Sequence, residues 1–336
     1  MKLATYQDGS RDGQLVVVSR DLATAHYATG IASRLQQVLD DWGFLSPQLQ
    51  DLFDALNQGR GRHTFAFDAR QCMAPLPRAY QWVEAQAYPS LLQPRDDVGP
   101  VLAPGSGDNF LGACDLLRCQ SEALAIDFNA GLAAITADVP QGVTPAQALD
   151  GVRLLMLSNS TRLRSLEDAE RAKGAGWVQS APATAFSPVA ATLDELVFQG
   201  QGQGESAWEK GRIHLPLHTS WNGRKVGMCD AGPEMQLHFG QLIAHLCATR
   251  HLRAGSIVGS GPVSNAGTGS KSKAQWPKGY NSIAEKRAME TLLSGQPSTG
   301  YLQFGDTVRI EMKGRDGSSL FGAIDQEVAP LAAAAR

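Results

Sequence analysis

The chain has 336 residues, a net charge of -3 at pH 7, 43% hydrophobic and 19% charged residues, and 35 glycines and 17 prolines. This length suits one large domain, alone or with a smaller one, and the Gly and Pro content indicates many turns and much β-structure. The small net charge argues against a nucleic-acid surface, and no apolar run reaches the roughly 18 residues of a membrane span. Without a signal-peptide core at the N-terminus, and with five scattered cysteines, the chain is expected to be cytoplasmic with reduced thiols.

The first 70 residues are predicted to be a small N-terminal domain of strands and helices. Residues 2–20 predict a β-hairpin and residues 32–42 a helix. A second helix is expected to have Ser46 as its N-cap and Pro47 at its first position, and to end just before Gly59.

Residues 71–330 are predicted to form a larger domain, and residues 331–336 a disordered tail. The predicted elements of the larger domain are a long loop at 88–110, a buried strand at 121–137, a helix beginning at Thr144 and Pro145, a strand at 152–160, a hairpin turning at Asn222 and Gly223, a helix at 234–251, a helix opened by a Ser282–Glu285 capping box and ended before Gly295, and a closing hairpin at 307–328. The fold class is therefore β-rich α+β with peripheral helices.

The stretch 121–137, SEALAIDFNAGLAAITA, is unusual for a buried strand. Alternation along one continuous strand would place Asp127, Asn129 and Gly131 on one face. Asn and Gly are both depleted in strands, and Gly leaves a gap in the packing. This face is therefore a candidate functional surface.

Other motifs carry little signal. The Gly-rich segment 259–267 lacks the lysine of a phosphate-binding loop and is read as a tight turn. His238 and His245 are seven residues apart, without the spacing of a metalloprotease helix, and are read as structural. Composition and spacing alone indicate only a soluble β-rich protein with a long loop.

Longer phrases carry a more specific signal. They are CMAPLPRAYQW, TPAQALDGVRLLMLSN, QSAPATAFSPVA, WNGRKVGMCDAGPEM, FGQLIAHL, RAGSIVGSG, IAEKRAMETL and FGDTVRIEMKGRDGSSLFGAIDQEV. In this order, over nearly the whole chain, they resemble the fumarylacetoacetate hydrolase family, in its bacterial single-chain form. The resemblance implies a mixed β-sandwich roll, a homodimer, and cleavage of a C–C bond between two carbonyls in acylpyruvate-like substrates, with some relatives that decarboxylate or isomerise. It also implies a divalent Mg²⁺, Mn²⁺ or Ca²⁺ as Lewis acid and a His–Glu pair that activates water.

The sequence departs from this family at the site itself. The family's F-E-x-E pair of glutamates is represented by Asn129 and Gly131, and the aspartate of its N-D pair by Ser160. The lysine of Q-S-K-P is Ala181 and the threonine of G-S-G-T is Pro262. The segment after Tyr88, where the family carries its catalytic histidine, contains no histidine. Because hard cations need oxygen ligands, chiefly carboxylates, no metal or other cofactor is expected.

The leading hypothesis is a metal-independent family enzyme acting on a 1,3-dicarbonyl or related enolisable carbonyl compound. It would stabilise an enolate by hydrogen bonds in a wider, less polar pocket, for a cyclisation, isomerisation or elimination. Asp127, Asn129 and Ser160 are the catalytic candidates, with Asp127 as the general base. The substrate-binding candidates are Tyr80, Gly131, Gln179, Ser180, Ala181, Gly261, Pro262 and Ser264.

Three alternatives remain open. The first is a catalytically inactive paralogue that serves as a binding or partner subunit, since clustered carboxylates can be lost when activity is not selected. The second is an acylpyruvate-type C–C hydrolase that retains weak metal binding through Asp127. The third is a family member inactivated by design.

Overall fold

The computed structural model describes residues 1–90, 92, 99–174, 177–198, 205–265 and 278–331. Within these ranges the α-helices are α1 Leu35–Asp40, α2 Trp42–Asn57, α3 Pro145–Leu149, α4 Arg164–Ala172, α5 Phe239–Leu246 and α6 Ile283–Ser294. The strands are β1 Lys2–Tyr6, β2 Gln14–Val18, β3 Thr24–Tyr27, β4 Phe65–Ala66, β5 Trp82–Ala85, β6 Leu102–Gly105, β7 Leu117–Cys119, β8 Ile126–Asp127, β9 Ala130–Thr136, β10 Val152–Ser160, β11 Arg162–Leu163, β12 Thr184–Phe186, β13 Ala190–Ala191, β14 Val197–Phe198, β15 Glu205–Ser206, β16 Trp208–Glu209, β17 Arg212–Ile213, β18 Pro216–Trp221, β19 Arg224–Asp230, β20 Ile257–Pro262, β21 Thr307–Met312 and β22 Ile324–Pro330.

Two sheets organise the described residues. The larger one has the order β4-β3-β2-β1-β13-β10-β9-β20-β5-β6, with β12 added beside β10. The smaller one has the order β19-β18-β21-β22-β7. Most strand pairs are antiparallel, but β20 lies parallel to β5 and β22 parallel to β7. This is the sheet-rich α+β architecture expected from the sequence.

The central strands are apolar on both faces because each face covers a different core. On β9, Leu132 and Ala134 belong to the core shared with the smaller sheet and α5, whereas Ala133 and Ile135 belong to the core under α1 and α2. Side chains of a strand alternate between the faces of its sheet, so a strand buried on both sides needs an unbroken apolar run.

The N-terminal strands join the larger sheet directly. β1 pairs with β13 through Lys2 opposite Ala191 and Leu3 opposite Ala190. The division of the chain at residue 70 stays a prediction, and residues 332–336 of the predicted tail lie outside the described residues.

Several predicted elements are confirmed. They are the first hairpin, the helix capped by Thr144, strand 152–160, the Asn222–Gly223 hairpin, the end of the last helix before Gly295, and the closing hairpin. Gly295 has a φ of +82°, the left-handed conformation that ends many helices. All five cysteines are free thiols.

Two helix boundaries were predicted wrongly. Helix α2 begins at Trp42, so Ser46 is not its cap and Pro47 lies inside it. The helix tolerates Pro47 near its start because the carbonyl that its ring approaches belongs to Gly43, within the first turn, where few intrahelical bonds are lost. The helix predicted at 234–251 is limited to α5, with His238 at its N-cap position.

Three further predictions are corrected around the candidate site. The predicted loop at 88–110 contains β6, which pairs with β5; residues 91 and 93–98 lie outside the described part. The predicted strand at 121–137 is interrupted between β8 and β9, so Asp127 and Gly131 do not share one continuous strand face. The Ser282–Glu285 capping box is absent, because the Asp127 carboxylate takes the first amides of α6 instead.

Candidate functional site

A cavity of about 280 Å³ opens where the ends of β5 and β20 face the beginnings of α4 and α6. Its wall includes Asn129 and Pro262, two of the predicted site residues. Its charged lining consists of Glu84, Arg162, Arg164, Glu167, Asp168, Arg171 and Glu285. The described lining is therefore strongly charged, although the sequence analysis expected a less polar pocket.

Asp127 lies beneath this cavity and is completely buried. Its Oδ1 accepts the backbone N–H of Ile283 at 2.7 Å, and its Oδ2 accepts that of Ala284 and the hydroxyl of Ser282, both at 3.0 Å. A carboxylate at a helix N-terminus satisfies free amides and complements the helix dipole. Asp127 therefore fixes the start of α6 and does not line the cavity as a free base.

Arg164, at the first position of α4, completes this arrangement. Its Nε donates to Asp127 at 2.9 Å, its Nη1 to both oxygens of Glu167 at 2.8 and 3.0 Å, and its Nη2 to Asn129 Oδ1 at 2.9 Å and Ser282 Oγ at 3.1 Å. Burial disfavours the charged form of Arg164, but the carboxylates of Asp127 and Glu167 outweigh it and raise the pKa of the guanidinium. We call this network of Asp127, Arg164, Glu167 and Ser282 the floor of the cavity.

The family's divalent metal does not fit this donor set. Asn129 presents its amide oxygen to a guanidinium, so a cation that belongs to the chain already occupies that oxygen. At Gly131 a Cβ atom would overlap the carbonyl oxygen of Gly261, so the backbone has closed over the position of the second family ligand. Among the described residues, no group of three or more His, Cys, Asp or Glu side chains is placed to hold a metal ion.

Arg162 and Glu84 form a second buried ion pair, at the side of the cavity. The guanidinium carbon of Arg162 lies 5.1 Å from the centre of the Trp177 ring, a cation–π contact. On the far side of this pair is a much smaller pocket, of about 20 Å³, which Ser160 and Ala181 line. The Arg162–Glu84 pair therefore separates Ser160 and Ala181 from the main cavity. We call Arg162, Glu84 and Trp177 the wall of the cavity.

Glu170 holds the segment that carries Trp177. Its Oε1 accepts the N–H groups of Val178 at 3.2 Å and Gln179 at 2.7 Å, and its Oε2 accepts the N–H and hydroxyl of Ser180. The Ser180 hydroxyl and these amides lower the pKa of Glu170 to about 2. Ser180 is thus buried against Glu170, while Gln179 is exposed to solvent.

Glu285 is a buried acid of the cavity, on the first turn of α6, and is only 4% exposed. Burial raises its pKa to about 7, while the Ser90 and Ser264 hydroxyls and the Arg164 cation act in the opposite direction. A carboxyl group that titrates near neutral pH in a cavity is a candidate acid or base. Neither composition nor spacing pointed to this role.

The predicted site residues are therefore only partly brought together. Asn129 and Pro262 line the cavity, whereas Gly131 and Gly261 pack against each other and are not part of its lining. Tyr80 is 71% exposed and lies on a separate surface groove. Ser264 is buried near Glu285.

The sequence reasoning missed Arg162, Arg164 and Glu285. The pattern Arg-x-Arg directly after the predicted strand 152–160, followed by Glu167 three residues later, was an available signal for charges at a strand end. Glu285 was assigned to a capping box because its spacing from Ser282 fits one, and only the contacts of Asp127 exclude that assignment.

Two family models match the chain. The N-terminal domain 2 of fumarylacetoacetase matches residues 1–78, and the C-terminal domain of fumarylacetoacetate (FAA) hydrolase matches residues 85–329. Comparison with curated protein sequences gives no significant match.

Solved structures with the same fold include three named enzymes. The fumarylacetoacetate hydrolase of Exiguobacterium antarcticum is 16% identical, with a TM-score of 0.64 over 98% of this chain and 99% of that one. The 2-hydroxyhepta-2,4-diene-1,7-dioate isomerase of Mycobacterium marinum is 16% identical, with a TM-score of 0.58 over 99% and 100%. The maleylpyruvate hydrolase of Sphingobium sp. SYK-6, solved with manganese(II) and pyruvate, is 14% identical, with a TM-score of 0.63 over 98% and 99%. With two family models together spanning nearly all of its length, the chain belongs to the fumarylacetoacetate hydrolase family.

Proposed function

We propose that the chain is a metal-independent enzyme that forms an enolate from a 1,3-dicarbonyl or related enolisable carbonyl compound and completes a non-hydrolytic reaction, such as an isomerisation, cyclisation or elimination. The observation that carries the proposal is the cavity itself, which holds a buried carboxyl group with a pKa of about 7 beside guanidinium cations. These are the two components that enolate formation needs: a base for the α-proton and a positive group for the developing oxyanion.

Glu285 is the general base in this mechanism, and Arg162 is the group that stabilises the oxyanion. The ionised Glu285 carboxylate takes a proton from the carbon between or beside the carbonyls, and the electron pair of that C–H bond moves onto the carbonyl oxygen. Among the described residues Arg162 donates one recorded hydrogen bond, from Nη2 to Glu84, so its other N–H groups can face a substrate oxygen. Return of the proton from Glu285 to a different carbon completes an isomerisation.

Arg164 and Asp127 position these groups and do not react. All three nitrogens of Arg164 are bonded within the floor, and Asp127 is bonded to Arg164 and to the start of α6. The proposal therefore replaces Asp127 by Glu285 as the base. Asn129 remains a candidate donor, because its Oδ1 accepts from Arg164 and its Nδ2 can face the cavity.

No step of this mechanism uses a metal, because Asn129, Gly131 and Ser160 cannot supply the carboxylate ligands of a hard cation. Weak metal-dependent hydrolysis is for this reason the less favoured function. The inactive-subunit alternative predicts no rate acceleration with any carbonyl compound, so one assay separates it from the proposal.

The test is the keto–enol interconversion of pentane-2,4-dione. The diketone is diluted from an enol-rich solvent into buffer, and the decay of the enol absorbance is followed with and without protein. We expect acceleration that increases as the pH rises through about 7, is unaffected by EDTA, and falls at least about tenfold in Glu285→Gln. Glu209→Gln, an exposed acid outside the cavity, is the control and should behave as the unmodified protein. Equal rates in Glu285→Gln and the unmodified protein would refute the role of Glu285.

The assembly and location of the protein remain proposals. We expect a homodimer, as the family resemblance implies, and light scattering on the purified protein would measure its mass. In the described part of the chain no helix is long and apolar enough to cross a lipid bilayer. A cytoplasmic location is our expectation from the scattered cysteines.

A further inference from the structure

We infer that this cavity selects uncharged enolisable carbonyl compounds, such as diketones and keto esters, over the corresponding carboxylates. The inference rests on the proposed function, because it concerns the same cavity, but it depends on a separate observation, which is how the charges of the lining are paired.

Each nitrogen of the Arg164 guanidinium is already bonded within the floor. Nε donates to Asp127, Nη1 donates to the carboxylate of Glu167, and Nη2 donates to Asn129 and Ser282. The usual reason for a buried arginine in a ligand cavity, bidentate binding of an incoming carboxylate, is therefore absent here.

The other two cations of the lining are also paired. Arg162 bonds to Glu84, and both side chains are only 8% exposed. Arg171 lies 3.6 Å from Asp168 at the open side of the cavity, where both are exposed and solvent screens their charges. A ligand carboxylate at Arg162 would lie beside the buried Glu84 carboxylate and share one cation with it, which is costly in a buried site.

Carboxylates outnumber guanidiniums in and beneath the cavity, among the residues that the structure describes. The acids are Asp127, Glu84, Glu167, Asp168 and Glu285, and the cations are Arg162, Arg164 and Arg171. The net charge of these side chains is negative even when Glu285 is protonated. A ligand carboxylate would add to this excess at short range and low effective dielectric, where like charges repel strongly.

A neutral carbonyl compound meets none of these obstacles. Its oxygen needs one donor, which Arg162 can supply while it stays bound to Glu84. Its carbon chain can pack on Ala85, Ala87, Pro89, Pro262 and Ala284, the small apolar residues of the lining. The volume of about 280 Å³ limits it to a small molecule, at the lower end of typical ligand pockets.

The test uses two compounds that differ in one charge, methyl 2,4-dioxopentanoate and 2,4-dioxopentanoate. Their dissociation constants are measured by titration calorimetry at low ionic strength. We expect the ester to bind at least about tenfold more tightly than the free acid, with a difference that shrinks as salt is added. Tighter or equal binding of the free acid, or no binding of either compound, would overturn the inference.

A charge variant of the floor tests the cause. In Glu167→Gln the floor loses one negative charge and Arg164 loses a charged competitor for its Nη1 group, so the preference for the ester should fall several-fold. Glu209→Gln removes an acid outside the cavity and should keep the preference unchanged. An unchanged preference in Glu167→Gln would contradict the electrostatic explanation.

The two proposals fail in different ways. Keto–enol acceleration that depends on Glu285, together with preferred binding of the free acid, would refute the selectivity and leave the proposed function standing. Preferred binding of the ester without acceleration would refute the proposed function and leave the selectivity standing.

Discussion

The floor and the wall of the cavity each contain a buried arginine, but the two arginines differ in how fully they are bound. Arg164 in the floor is bonded through all three of its nitrogens, and its partners tie α4 to the start of α6. Arg162 in the wall is bonded to one carboxylate and rests on one aromatic ring. The comparison indicates that a fully bound cation is part of the framework, whereas a partly bound one remains available to a ligand.

Replacing Arg164 should have the largest effect on stability. Arg164→Met leaves Asp127 and Glu167 as buried carboxylates without their cation, and removing one partner of a buried pair typically costs about 3–5 kcal/mol. Urea denaturation at pH 7 measures the change in the free energy of unfolding. Arg171→Met removes an arginine of the same helix whose pair is exposed, and should cost less than about 1 kcal/mol. Equal losses in the two variants would mean that the floor does not support the fold.

The second prediction concerns the pH dependence that Glu285 gives to stability. Its pKa is raised from an ordinary 4.5 to about 7 by burial, so the folded state holds the proton more tightly than the unfolded state. The contribution of Glu285 to the free energy of unfolding is therefore fully present below about pH 4.5. It is lost as the pH rises through about 7, and the total loss is about 3 kcal/mol. Glu285→Gln should remove this loss and be more stable than the unmodified protein at pH 8. Parallel pH profiles of unfolding for the two proteins would contradict this assignment.

The wall should show a smaller and non-additive effect. Glu84→Gln and Arg162→Met each leave a buried charge without its partner, whereas the double variant leaves none. We expect a coupling energy of about 1–3 kcal/mol in the double-mutant cycle, with the double variant more stable than the sum of the single losses predicts. A coupling energy near zero would mean that Glu84 and Arg162 do not interact in solution.

The smallest expected effect is local. Glu170→Gln weakens the hold on Val178, Gln179 and Ser180, so their amides should exchange with deuterium faster while the global unfolding midpoint at pH 7 stays nearly constant. Because the pKa of Glu170 is lowered to about 2, its contribution is present above about pH 4.5 and is lost as the pH falls towards 2. The protection factors of these amides, in which the intrinsic exchange rate is divided out, should therefore also fall in acid in the unmodified protein. Glu290→Gln is the matched control, since Glu290 binds Ser298 and Thr299 in the same way and should affect only those amides.

Much of the frame could be predicted from the sequence because its signals are local. The apolar run of β10, the Thr144–Pro145 helix start and the Asn222–Gly223 turn each depend on a few adjacent residues. The floor could not be predicted in this way. Asp127 binds the start of α6, which is more than 150 residues later in the sequence. No sequence pattern around either position predicts that contact.

The same limit explains why the sequence favoured Asp127 as the base, whereas the proposed mechanism uses Glu285. Asp127 stood in the predicted site strand and Glu285 in a plausible helix cap, so spacing favoured Asp127. Tertiary packing decides that Asp127 is bonded to Arg164 and α6 while Glu285 faces the cavity. These contacts cannot be inferred from the spacing of the two acids in the sequence.

The contact between Gly131 and Gly261 also bears on how this chain could change in future. Because a Cβ atom at position 131 would overlap the Gly261 carbonyl oxygen, a single return to an acidic residue there must first displace a neighbouring strand. Arg164 also holds the oxygen of Asn129, so an acid at position 129 would gain a guanidinium as its partner before it met a metal ion. Restoration of a metal centre would thus require several coordinated substitutions, and those at positions 129 and 131 would each also require a change in the residue that now faces them.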